Sequence, residues 1–295
     1  MLKTKIVVFE GGDCCGKTSL LNATSDALEN KGFKVGKFKF PAYTDMCGEE
    51  ILNHLKNWKY SEKDKEASFK ELMKFSELQY LNKLAAFKEF YDYAKGLDYV
   101  LVDRFTLSQY VYDLAWAEVI DKDQINQNIK DNRICMAPID LYYGCYYTKE
   151  VIDVIKERAS TIAKAYSEAF PNFYTFVIYP NDLVKVISMS DSNRRMDEYD
   201  KNKEYQDEVN RLMRVIVGNN VGNKAFVINS EEMIKNIIRE SKDYLDPLDF
   251  TLCKKIDDRC NKIKYEFHKN EWLAVLKEYT ELAVQFIVEG VTSDD

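Results

Sequence analysis

The sequence of 295 residues predicts an α/β fold. Its expected form is a five-stranded parallel sheet with helices on both faces, a helical lid and an appended C-terminal helical hairpin. Three observations predict it. Short β-branched runs alternate with helical stretches, the βαβ pattern of a parallel sheet. A glycine-rich turn, Gly11 to Thr18, joins the first such run to the helix after it. Past residue 240 the spacing changes to two consecutive helical stripes.

The elements follow in chain order. "KIVVFE", residues 5–10, is a short apolar run ending at glycines, which reads as a buried strand. Helical sequence runs from Lys17 to about Asn30 and closes at Gly32. "KVGKFKF" is a second strand, stopped by Pro41. One long helix is predicted over residues 65–95, with Leu78, Leu81, Leu84, Phe87 and Phe90 drifting around one face. "YVLVD", 99–103, "FYTFVI", 173–178, and "KAFVIN", 224–229, are the third to fifth strands.

Residues 121–147 lack clear periodicity and carry the tyrosine-dense "MAPIDLYYGCYY". This predicts an irregular surface insertion, then a helix to about Ala169, so that the insertion spans about 121–170. Asp246-Pro247 can start a helix, since proline suits its first position. Leu252, Ile256, Cys260, Ile263 and Phe267 form one stripe, and Trp272, Leu276, Tyr279, Ala283 and Phe286 another. A core of 1–240 and a helical extension of 241–295 result. Two stripes on consecutive helices need a partner surface, either the core or a second copy in a homodimer.

Composition excludes several function classes. A net charge of −7 argues against a broad nucleic-acid-binding face. No stretch approaches the ~20 apolar residues that span a membrane. The four apolar residues Ile6 to Phe9 are too few for a signal peptide. Seven cysteines without a C-x-x-C pair set, and only His54 and His268, argue against a zinc site. Reduced thiols in the cytoplasm are the expectation.

"FEGGDCCGKTSL", residues 9–20, fits G-x-x-x-x-G-K-[ST] after a strand and before a helix. In such a loop, successive backbone N–H groups and a helix N-terminus point at one anion. The candidate ATP site is Gly11, Gly12, Asp13, Cys14, Cys15, Gly16, Lys17, Thr18 and Ser19. Lys17 adds charge toward the β and γ phosphates, and Thr18 can bind Mg²⁺. Cys14 and Cys15 admit two readings: thiols tuned by the helix N-terminus, or two small side chains that fit. Asp103 and Arg104 leave the third strand at its carboxyl end, where ligands of parallel sheets sit. The carboxylate can hold a metal's waters or the acceptor, and the guanidinium can grip a second phosphate.

Taken together, these segments resemble the thymidylate kinases. That family has F-E-G-x-D-G-x-G-K-[ST] at the first strand, where this chain has "FEGGDCCGKTS". It has F-P-x-R-x-T-x-x-G after the second, here "FPAYTDMCG", and D-R-[YF]-x-x-S after the third, here "DRFTLS". An arginine-bearing lid precedes D-x-[FY]-[ED], here "SNRRMDEYD", in a lid of about 188–200. Order and spacing match over about residues 3–240. The resemblance implies a P-loop kinase fold, with ATP as donor, Mg²⁺ as cofactor and a deoxynucleoside monophosphate as acceptor. It implies that Asp13 meets the sugar 3′-hydroxyl and that Phe75 stacks on the base. Arg104 would bind the acceptor phosphate, and Asp103, with Thr18, would sit at the metal. Tyr112 would crowd the 2′ position, while Arg194 and Arg195 close over the transferring group. Pro41, Tyr43 and Ser108 fall within these motifs and join the acceptor side.

Three departures matter. Position 14, glycine or arginine in the family, is Cys14, which shifts transition-state charge to Arg194 and Arg195. The F-P-x-R arginine is Tyr43, and a neutral phenol cannot replace a charged fork. The family's base-reading arginine is Gln79, on one helix face with Phe75, and glutamine both donates and accepts. The expected acceptor is a deoxypyrimidine monophosphate, dTMP first. Another deoxynucleotide, a nucleoside, or a nucleotide-binding switch acting through a partner are the alternatives.

Overall fold

The computed structural model describes residues 2–12, 16–44, 46–132, 143–170, 173–178, 198–217 and 225–229. In the C-terminal segment it describes residues 276, 277, 280, 281, 283–285, 287 and 288. The strands are β1 (Lys5–Gly11), β2 (Val35–Lys39), β3 (Tyr99–Asp103), β4 (Phe173–Ile178) and β5 (Ala225–Asn229). The helices are α1 (Lys17–Asn30), α2 (Met46–Asn57), α3 (Lys65–Ala85), α4 (Phe87–Ala94), α5 (Thr106–Ile120), α6 (Lys122–Asn132), α7 (Lys149–Ala169), α8 (Glu198–Lys201) and α9 (Lys203–Val217).

The sheet order is β2-β3-β1-β4-β5. β2, β3, β1 and β4 are parallel, with Phe9 of β1 opposite Asp103 of β3 and Lys39 of β2 opposite that same Asp103. β1 and β3 are apolar without alternation because helices cover both faces. Val7 and Phe9 join Leu20, Leu21 and Leu28 of α1 on one side. Ile6 and Val8 join Phe90 of α4 and Ile162 and Tyr166 of α7 on the other. A third core gathers around α5, which is buried nearly all round between α3, α7 and α9.

The structure corrects four expectations. The all-parallel sheet fails at β5, which runs antiparallel to β4. Apolar patterning does not encode strand direction, which depends on the sheet end to which the preceding segment delivers the chain. The single helix over 65–95 breaks at Ala86, because α3 packs along α5 while α4 packs under β2. The stripe on it is buried only in part: Leu78 and Phe87 pack against the core and Phe90 is buried, but Leu81 and Leu84 are 42% and 41% exposed. α3 instead buries Phe75, Ser76, Gln79, Asn82 and Lys83. The insertion is not irregular at its start, where α6 forms. Asp121 organises the turn that follows, accepting backbone N–H bonds from Cys145, Tyr146 and Tyr147.

The stripe over 252–267 and most of the lid lie outside the described residues. Of the last stripe, Ala283 is buried, and it packs with Val284 and Ile287 against α1, β1 and β3. The Lys5 Nζ donates to the Ile287 carbonyl at 3.0 Å. Among the described residues, no helix is long and apolar enough to cross a membrane.

Ile287 is 3% exposed in this layer. Ile287→Ala is expected to lower the unfolding free energy by about 2–5 kcal/mol, the range for a buried Ile-to-Ala cavity. Urea unfolding measures it, and an unchanged midpoint would show that the C-terminal residues do not seal this face.

Candidate active site

The site begins where β1 ends. Gly11 and Gly16 have φ of 146° and 87°, conformations that favour glycine. Gly16 precedes α1, and among the described residues no side chain caps that helix, whose N-terminus is a setting that suits an anion. Gly11, Gly12 and Lys17 are buried, while Thr18 and Ser19 are exposed at the start of α1. Lys17 Nζ donates to the Gly12 carbonyl at 2.5 Å. Asp13, Cys14 and Cys15 lie outside the described residues, as do Arg194 and Arg195.

β3 brings Asp103 alongside this loop. Thr18 Oγ1 donates to Asp103 Oδ2 at 3.1 Å. The other oxygen, Oδ1, is buried without a hydrogen-bond partner among the described residues. A hard cation held through water by one carboxylate and one hydroxyl suits that arrangement, and Mg²⁺ prefers such partial sites. Among the described residues, no group of three or more His, Cys, Asp or Glu could hold a metal without the ligand's help.

Arg104 follows in a left-handed conformation, φ 67°, that is uncommon for a side chain of its size. Glu10 explains how it is held. This fully buried carboxylate accepts from the N–H groups of Phe105 and Leu107 at 2.9 and 3.1 Å, and from the Ser108 hydroxyl. Burial pushes the Glu10 carboxyl up, while the Ser108 hydroxyl, the Phe105 N–H and the Arg104 charge oppose the shift. The Arg104 guanidinium bonds the Tyr112 hydroxyl and lies 5.0 Å from that ring's centre.

Beyond Arg104 opens a cavity of about 270 Å³. Pro41, Tyr43, Phe75, Gln79, Arg104, Ser108 and Tyr112, brought from four separate segments, all line it. Asn82 fixes one wall by clasping Ala42, accepting its N–H at 2.8 Å and donating to its carbonyl at 2.6 Å. Phe75 has one face covered, since the His54 ring stacks on it at 4.1 Å and 12°. A ligand therefore has only the opposite face of Phe75 to stack on.

Several lining residues escaped the sequence reading. Lys39, the register partner of Asp103, adds a cation at the mouth. Tyr199 and Tyr205 enter from α8 and α9, and Tyr199 bonds His54 Nε2 at 2.9 Å. Lys83, Gln109 and Asp113 also line the cavity. Helical spacing held a signal for them: Lys83 is four residues past Gln79, and Asp113 four past Gln109. Nothing local marked His54 or Tyr205.

No protein-family model matches the sequence, and none of the curated proteins compared matches it. Among solved structures, a thymidylate kinase from Candida albicans is 15% identical, covering 68% of this chain and 93% of its own, with a TM-score of 0.32. A thymidylate kinase from Ehrlichia chaffeensis is 20% identical, covering 63% of this chain and 97% of its own, with a TM-score of 0.30. At such low scores the site rests on this chain's own geometry.

Burial of charged groups marks this region. Burial lowers Lys83 to about 8, against the pull of Asp113 and Glu10. Asp113 is pushed up to about 7 by burial, which outweighs Ser76 and the nearby Lys83 and Arg158. Burial, with Lys74 nearby, holds His54 down at about 4. The unfolded chain protonates His54 near its ordinary 6.5, whereas the folded one does so only near 4. Within that window the unfolded state binds the extra proton, so stability falls as pH falls. Relative to a folded His54→Gln variant, the wild type should lose stability from about pH 6.5 to about 4. Parallel stability curves for the two proteins would refute this.

Proposed function

We propose that the protein is an ATP-dependent nucleotide kinase, passing the γ-phosphoryl group to the phosphate of a deoxypyrimidine nucleoside monophosphate. The observation that carries this reading is Arg104. It stands at the β3 end, between the glycine-rich loop on one side and a cavity of mixed aromatic and polar lining on the other. An acceptor with its base in the cavity would place its phosphate at Arg104, facing the donor loop.

Phosphoryl transfer asks a protein mainly for alignment and charge neutralisation. The backbone N–H groups at the start of α1 would hold the donor phosphates, and Lys17 would swing from the Gly12 carbonyl onto the β and γ oxygens. Thr18 and Asp103 would hold Mg²⁺, which supplies charge for the leaving oxygen. An acceptor phosphate oxygen attacks the γ-phosphorus as the bond to the β-phosphate oxygen breaks, giving ADP and a nucleoside diphosphate. Arg104, joined by Lys39 where Tyr43 brings no charge, would neutralise the acceptor phosphate. Asp13 is proposed for the sugar, Tyr112 for its 2′ side, and Arg194 and Arg195 for closure over the reacting group. The resemblance in sequence names dTMP as the first acceptor to assay.

Lys17→Ala should cut kcat on the order of 10²-fold or more, the scale for losing one preorganised contact to developing charge. Near-normal turnover in the folded variant would remove the reading of the loop. Arg104→Ala should raise KM for the acceptor far more than KM for ATP in steady-state assays. Unchanged acceptor kinetics would instead favour a nucleoside, which has no phosphate for Arg104 to meet.

A further inference from the structure

One part of the cavity lining, Gln79, Lys83, Gln109 and Asp113, is built from charged and amide groups rather than hydrocarbon. Lys83 Nζ donates to Gln109 Oε1 at 2.8 Å and to the Gln79 carbonyl at 3.4 Å. Gln109 Nε2 donates to the Ser76 carbonyl at 3.0 Å. The Ser76 hydroxyl donates to Asp113 Oδ2 at 2.6 Å. These bonds fix the Gln109 amide with its oxygen toward Lys83 and its nitrogen toward Ser76.

The members of this group differ in what they leave to a ligand. Lys83 is 1% exposed and directs two of its three donors to Gln109 and to the backbone. Asp113 is 8% exposed and Gln79 9%, and both line the cavity. A carboxylate has two oxygens and about four lone-pair sites, more than Ser76 and Gln109 together use. The accepting group offered in this part is therefore Asp113, with Gln79 beside it able to donate or accept.

We propose that Asp113 accepts a hydrogen bond from an exocyclic amino group of the acceptor base, so that the pocket selects cytosine over thymine and uracil. An ionised carboxylate only accepts, and it pairs with the cytosine N4 amino group. Thymine and uracil present the O4 carbonyl at that position, an acceptor against an acceptor. Gln79 can donate to the remaining ring nitrogen or carbonyl of cytosine. The proposal rests on the kinase reading only for the placement of a base in the cavity.

Calorimetric titration of the full chain with dCMP, dTMP and dUMP, without ATP and at mildly alkaline pH, tests it. dCMP should bind roughly 5- to 150-fold more tightly than the others, the discrimination of one good base contact. Asp113→Asn, which keeps the size and removes the charge, should bring the dCMP to dTMP ratio toward parity. Wild type binding dTMP or dUMP as tightly as dCMP overturns the proposal, whether or not the variant folds. An unchanged ratio in a folded Asp113→Asn does the same. Selective dCMP binding without phosphoryl transfer would overturn the kinase reading and uphold the base assignment.

Discussion

The Glu10 carboxylate ties the site together. It stands at the end of β1, fully buried, and receives the first N–H groups of the segment that opens α5. Those donors would otherwise be orphaned at a buried helix start, at ~1–3 kcal/mol each. The same contacts bring the chain back sharply after Asp103. Arg104 takes up the turn in its left-handed conformation and donates its own N–H to the Phe9 carbonyl at 3.0 Å. Strand end, arginine and helix start thus form one unit, and the glycine-rich loop leaves from the residue next to Glu10.

A second constraint follows from where α5 lies. It is buried nearly all round, so each of its polar groups is costly unless it finds a partner inside the protein. Ser108 finds Glu10, and Gln109 and Asp113 find Lys83 and Ser76 on α3. Such a network is costly when half made. Its groups complete one another across two helices, which gives that part of the cavity a defined set of donors and acceptors.

The aromatic wall opposite works differently. His54, Trp58, Phe75, Trp116, Tyr199 and Tyr205 stack or meet edge to face around one corner. α2, α3, α5, α8 and α9 all reach it, so it joins residues 198–217 to the cavity wall at Phe75. The hydrogen bond between Tyr199 and His54 gives that joint one polar fastening in an apolar setting.

Local sequence determined the parts that short-range physics decides. Gly11 and Gly16 take positive φ, which only glycine adopts without strain, so this part of the glycine-rich turn could be read directly. The runs of β1 and β3 read as buried strands, and Asp103-Arg104 could be placed at a strand end. Tertiary structure decided the rest. Whether Leu81 or Lys83 faces inward on α3 depends on the partner helix, because α5 offers Gln109 and Asp113 where a leucine would leave polar groups unpaired. The direction of β5, the break at Ala86 and the covering of Phe75 by His54 are likewise set by neighbours far along the chain. Periodicity records that a face is buried, while what it is buried against exists only once the chain has folded.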